Sequence, residues 1–144
     1  MRGEMVNNGI AAYQEAQARE LDQAKLILMM YAGAIRFLDK ALDISETDRR
    51  ESSAYISRTK DVILELIASL NLDEGGEIGE ILLHTYRRLF TKLNIAYIDD
   101  DYGKVDEVRQ SLVELEDAWK QIFNSPAYQE FKYSSGARSQ VSMG

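Results

Sequence analysis

The chain has no cysteine, a single proline and a single histidine, and each scarcity removes a class of function. Without thiols there is no disulfide scaffold, no thiolate metal site and no cysteine nucleophile. With one imidazole, His84, the paired Glu-x-x-His ligands of a di-iron bundle cannot be assembled. Basic side chains number 17 against 24 acidic ones, a net charge of −7. No broad cationic face is therefore expected to displace counterions from a nucleic acid, and the pairs Arg49–Arg50 and Arg87–Arg88 are too short to reverse that. The first residues, MRGEM, lack the apolar run and small-residue cleavage site of a secretory signal. Long apolar runs are missing too. The richest, LILMMYAGAIRFL from Leu26 to Leu38, contains Arg36 and falls short of the roughly 20 residues that a bilayer span needs. No membrane insertion is expected.

What is present is helical periodicity. Four segments repeat apolar residues at intervals of three and four, and none shows the period-two alternation of a strand. The first is expected from Asp22, a suitable N-cap, to about Asp43, with Ile27, Met30, Tyr31, Ala34, Leu38 and Ala41 on its core side. The second, from about Ser52 to Leu70, carries Ile56, Ile63, Leu66, Ile67 and Leu70. The third, from Ile78 to about Ile98, carries Ile78, Leu82, Tyr86, Leu89, Leu93 and Ala96. In the fourth, Val105, Val108, Leu112, Leu115, Trp119 and Ile122 follow one another by three and four. Breakers separate them: NLDEGGE at Asn71–Glu77, whose paired glycines supply positive φ cheaply, and DDDYGK at Asp99–Lys104. The last helix stops at NSP, Asn124–Pro126, because proline disfavours helix in the residue before it.

Short connections between long helices make neighbours antiparallel. The expected fold class is therefore all-α: an antiparallel four-helix bundle with a short N-terminal amphipathic arm and room for a short C-terminal helix. Residues 1–21 form the arm, 22–124 the bundle, and 125–144 a short extension with a flexible tail from Tyr133. On the arm, Ile10, Tyr13 and Ala16 lie on one helical face. The first bundle helix has more apolar groups than a core stripe uses: Leu26, Leu28, Met29, Ile35 and Phe37 are left over. The second repeats this excess with Val62 and Leu64. Either those helices are contacted on several sides, or the surplus forms a groove for another partner.

Motifs for chemistry are weak. Glu80 and His84 share a helix face as two metal ligands would, but nothing completes the set. A phosphotransfer histidine would be followed by a lysine–glycine pair, and here TYRR follows. DDDYGKVDE places its glycine one position early for a calcium loop, and the twelfth residue from Asp99 is Gln110 rather than a glutamate. DEGGE has neither the lysine nor the preceding strand of a phosphate loop. No catalytic residue, no metal site and no cofactor is expected. What remains is binding.

Four stretches, GIAAYQ, LILMMYAGAIRFLDKAL, GGEIGEILLHTYRRL and EVRQSLVELEDAWKQI, resemble the flagellin-specific export chaperones of the FliS family, in order, over roughly Gly9 to Phe131. The Leu-Met-x-Tyr-x-Gly-Ala core at Leu28–Ala34 and the Asp-Ala-Trp-Lys ending at Asp117–Lys120 carry most of the likeness. The resemblance implies a helical bundle in the bacterial cytosol. Such a chaperone binds the disordered C-terminal segment of flagellin, prevents premature polymerisation and aids delivery to the export gate of the flagellar type III apparatus. It also implies an arm capping a pocket through Ile10 and Tyr13, and a groove lined by Met29, Met30, Ile63, Leu66, Tyr86 and Leu89. Methionine suits such a site because its thioether adapts to an imperfect partner face.

Three departures from the family pattern stand out. Tyr31-Ala32-Gly33 replaces the usual Tyr-Asp-Gly or Phe-Asp-Gly, Asp22-Gln23-Ala24 replaces a Ser-Pro-Glu cap, and the link from Tyr13 to the first helix is short. Nothing between Ile10 and Ala32 breaks a helix, so the arm either caps the groove or continues the first helix as one rod, and the second course would favour a homodimer by arm exchange. The alternative from another class is a structural bundle that self-associates through its apolar surplus and has no flagellin client.

Overall fold

The computed structural model describes residues 2–128, and the backbone alone for residues 2–8, 16–22 and 72–74. The fold is all-α. Its elements are α1 (Arg2–Asp43), α2 (Arg49–Ala68), α3 (Leu72–Asp99) and α4 (Tyr102–Phe123), with no strand among the described residues. None of these helices is long and apolar enough to cross a membrane.

Contacts divide the chain into two units, Met29–Glu116 and Met1–Leu28 with Asp117–Gly144. The core of the larger unit draws on all four helices. Tyr31, Ala34, Leu38 and Ala41 of α1, Ile56, Ile63 and Leu66 of α2, Tyr86, Leu89, Leu93 and Ala96 of α3, and Val105, Val108 and Leu112 of α4 are all buried. These are the central members of the three-and-four stripes of the sequence, one stripe per helix, whereas Ile78 and Ile122, expected in those stripes, are exposed.

The helices of this unit are tied by specific pairs. Ser52 Oγ donates to Ala41 O at 2.7 Å, and Phe37 packs on Tyr55 with ring centroids 6.1 Å apart. Later residues of α2 thus meet earlier ones of α1, which makes the two antiparallel. The same order holds between α2 and α3. Arg49 pairs with Asp100 at 3.7 Å, while Lys60 lies over the Phe90 and Tyr97 rings at 5.8 and 5.1 Å. A buried hydrogen bond joins the hydroxyls of Tyr31 and Tyr86, linking α1 to α3. Asp39 with Arg109 links α1 to α4, and Lys92 with Glu107, at 3.1 Å, links α3 to α4. These ion pairs are partly exposed, so each contributes at most about 1 kcal/mol and fixes register more than stability.

The turns show why the helices end where they do. Asp48, with φ −146°, caps α2 by accepting a hydrogen bond from Glu51 N at 3.0 Å. This satisfies one of the free amides at the helix start. Within α3 the backbone leaves the helical region at Gly76, φ 53° and ψ −132°, which only glycine adopts at little cost. The glycine pair therefore breaks the chain as expected, although a first helical stretch begins before it, at Leu72 rather than at Ile78. At the end of α3, Asp100 takes φ 51° and Asp101 N donates to Ala96 O at 3.0 Å. That is the closing bond of a Schellman motif, with an aspartate where glycine is usual.

Asp101 then starts α4, accepting from Lys104 N at 3.2 Å and from Lys104 Nζ at 2.9 Å. The Lys104 side chain, followed by its backbone N–H, holds the Asp101 carboxyl below the usual carboxylate range. The stabilisation from this cap is present above the ordinary carboxylate pKa and is lost as the pH falls through the lowered value.

Asp100 offers a test of the backbone reading. Replacing it with glycine removes a Cβ from the left-handed region, a gain of about 1–2 kcal/mol. The freer unfolded chain takes back about 0.4–1 kcal/mol, and loss of the exposed Arg49 pair takes back little. Asp100→Gly is expected to raise the melting temperature by about 1–4 °C. A fall in a thermal melt would mean that the Arg49 contact outweighs the strain.

In the smaller unit, Trp119 stacks on Phe123 with centroids 5.4 Å apart, and Phe123 meets Tyr128 at 5.3 Å. Helix α4 ends before NSP as expected. Ser125 Oγ donates to Ile122 O at 2.7 Å and accepts from Tyr128 N at 3.1 Å, and Pro126 opens a further helical turn, a place where its missing N–H costs nothing. The tail expected from Tyr133 lies outside the described residues.

One expected boundary moves. Helix α1 does not start at Asp22 but runs without a break from Arg2 to Asp43. The stretch from Ile10 to Ala32 holds no glycine or proline and is rich in Ala, Gln, Glu and Leu, so continuing the helix costs less than capping it at Asp22.

Candidate binding surfaces

In the smaller unit, Ile10 and Tyr13 lie half-buried on α1, while Ala11, Ala12, Gln14 and Glu15 are exposed. The arm therefore has the one-sided apolar face expected from the spacing of Ile10 and Tyr13. Leu26 and Ile122 in this unit are exposed.

In the larger unit the six expected groove residues separate into two groups. Met29 is 67% exposed and Met30 half-buried. Ile63, Leu66, Tyr86 and Leu89 are at most 3% exposed and form part of the core. The same sorting applies to the surplus on α1: Ile35 and Phe37 are half-buried, Phe37 against Tyr55, and Met29 stays open.

The candidate chemistries find little support in the geometry. Glu80 and His84 are both exposed, and no group of three His, Asp or Glu side chains is placed to hold a metal among the described residues. Two of the carboxylates of DDDYGK are engaged structurally, Asp100 with Arg49 and Asp101 with Lys104.

Helix α3 carries a second apolar stripe that the sequence reading did not separate from the first. Its inward side is Tyr86, Leu89, Leu93 and Ala96. Ile81, Ile95 and Ile98 are exposed, and at 100° per residue they project from the opposite side, with His84 and Arg88 between them. Ile78, counted above with the core, is 68% exposed. A furrow of about 520 Å³ runs beside this stripe, lined by His84, Arg87, Arg88, Thr91, Lys92 and Ile95 of α3 with Lys104 of α4. The detectable signal was the spacing of Ile81, Arg88, Ile95 and Ile98 by seven and three, out of phase with the core stripe.

The chain matches the family model described as flagellar protein FliS over residues 6–126. Among curated relatives, it is 30% identical to the flagellar secretion chaperone FliS of Campylobacter jejuni over 115 residues, covering 79% of this chain and 90% of the relative. It is 29% identical to that of Bacillus subtilis over 123 residues, 83% of this chain and 90% of the relative. With the Salmonella typhimurium protein it shares 30% identity over 129 residues, 85% of this chain and 96% of the relative. A helical chain matched over nearly its whole length, with its Leu28–Ala34 and Asp117–Lys120 motifs inside the matched span, belongs to the FliS family of flagellar proteins.

Proposed function

We propose that this chain binds the disordered C-terminal segment of flagellin in the bacterial cytosol, prevents its premature polymerisation and presents it to the export gate of the flagellar type III apparatus. Its family is one of secretion chaperones and not of enzymes, which supports an export chaperone role. The observation that carries the finer reading is Met29. Helix α1 buries Tyr31, Ala34, Leu38 and Ala41, yet on its other side leaves a large, flexible thioether side chain 67% exposed. A segment that folds on binding would lay an apolar face on such a surface by helix-in-groove docking, with ordering entropy offsetting part of the contact energy. On this reading Met29 and Met30 touch the client, Ile10 and Tyr13 act as the competing cap, and Ile63, Leu66, Tyr86 and Leu89 serve as the packed core that keeps the helices rigid.

Calorimetry with the flagellin C-terminal segment of the same organism is expected to give a one-to-one complex with Kd of about micromolar or tighter. Met29→Asp is expected to weaken it at least about tenfold, and Tyr13→Ala to change affinity with the melting temperature almost unaltered. Absence of heat together with an unshifted melting temperature would overturn the proposal. A large stability loss in Tyr13→Ala would instead assign Tyr13 to packing. A second reading, arm exchange between two copies, is favoured by the unbroken course of α1, and sedimentation of the chain at several concentrations distinguishes it.

A further inference from the structure

We propose that the furrow beside α3 and α4 is a docking site for an acidic amphipathic helix of a partner protein, separate from the client surface. Its lining holds four cations, Arg87, Arg88, Lys92 and Lys104, and no carboxylate, in a chain whose net charge is −7. Two of those cations are already matched: Lys92 by Glu107 at 3.1 Å and Lys104 by Asp101 at 2.9 Å. Arg87 and Arg88 are exposed and make no ion pair among the described residues. The unspent positive charge therefore sits on two guanidinium groups, which take carboxylates in bidentate fashion better than an ammonium does.

The apolar component is as specific as the charge. Ile81, Ile95 and Ile98 lie on the outward side of α3, and the arginine and lysine stems add hydrocarbon to the walls of the furrow. An isolated exposed isoleucine is ordinary, but several on one face rimmed by charge of one sign mark an interaction surface. A furrow bounded by helices accepts another helix, whose apolar residues at i, i+3 and i+7 would meet the isoleucines while flanking Asp or Glu meet Arg87 and Arg88.

Charge also selects among occupants. The chain's own end is unsuited, since Phe131–Gly144 contains Lys132 and Arg138 and no acid. A second copy is disfavoured because its acidic helix α4 has already committed Val105, Val108 and Leu112 to its own core, and two chains of −7 repel. The site does not depend on the client reading: Tyr86 and Leu89 point into the core from the other side of α3.

The test uses the full chain and a fluorescently labelled synthetic helix of about five turns, with leucines at i, i+3, i+4 and i+7 and glutamates on both flanks. Anisotropy is expected to show binding that weakens as salt rises. It should weaken at least about tenfold in Arg87→Glu/Arg88→Glu and in Ile95→Asp, and disappear for a probe with lysine in place of glutamate. Unchanged circular dichroism melts of the variants tie the losses to the surface. Equal binding of the lysine probe, or indifference to the arginine reversal, overturns the proposal. So does a short oligothymidylate that binds as tightly and competes, which would give the furrow to nucleic acid. Displacement of the probe by the flagellin segment would return the furrow to the client, and a dimer abolished by the arginine reversal would give it to a second copy.

Discussion

Leu89→Ala is expected to lower the unfolding free energy by about 2–5 kcal/mol. Leu89 is only 3% exposed and lies in the buried stripe of α3 with Tyr86, Leu93 and Ala96. Truncation removes its transfer free energy and leaves a cavity that neighbours on other helices fill only in part. Alanine is the better helix former, so α3 itself loses nothing and the whole deficit reports packing. Urea titration measures it, with Met29→Ala as the comparison: at 67% exposure that change should stay within about 0.5 kcal/mol. The pair separates the packed core from the proposed contact layer. A deficit below about 1 kcal/mol for Leu89→Ala would mean that Leu89 is less sealed than its burial indicates.

Ala34→Leu is expected to cost about 1–3 kcal/mol, for the opposite reason. Ala34 is completely buried, in the α1 stripe with Tyr31, Leu38 and Ala41. A small side chain at such a position lets a helix approach its neighbours toward the short end of the usual 8–10 Å spacing. Leucine brings three more carbons into that contact, and they enter only if α1 or the side chains packed on it shift. Leucine is nearly as good a helix former as alanine, so propensity contributes almost nothing to the difference. A gain in stability would instead reveal an internal void large enough to be filled.

The core was legible in the residues because spacing alone decides which side of a helix is apolar. Tyr31, Ala34, Leu38 and Ala41, or Val105, Val108 and Leu112, needed no more than a count of threes and fours. The glycine break and the stop at NSP were legible for a similarly local reason, since backbone freedom and proline sterics act within a residue or two. The start of α1 was legible only as two alternatives, a cap at Asp22 or a rod continuing from the arm. Asp22 is a good cap in isolation, but a cap competes with continued helix, and the residues before it favour continuation.

The binding surfaces were the least legible part. An apolar residue in a helical pattern declares its face and not whether that face is covered. Leu89 and Met29 therefore looked equivalent in sequence and differ in exposure. Ile78 was placed with the core because it falls near the phase of Leu82 and Leu89, yet it follows directly on the Gly76 break and stays exposed. The arginine pair Arg87–Arg88 was too short to register as a basic patch. It becomes one only when folding sets it beside Lys92 and Lys104 in one furrow.

The stack of Trp119 on Phe123 has an optical consequence. Trp119 is the chain's single tryptophan and belongs to the smaller unit, so indole emission watches that unit through the loss of one aromatic neighbour. Far-ultraviolet ellipticity sums over every helical peptide and is blind to which unit melts. The two signals recorded on one sample form a built-in pair of witnesses: superimposed curves mean that both units let go together, and staggered curves give each its own temperature.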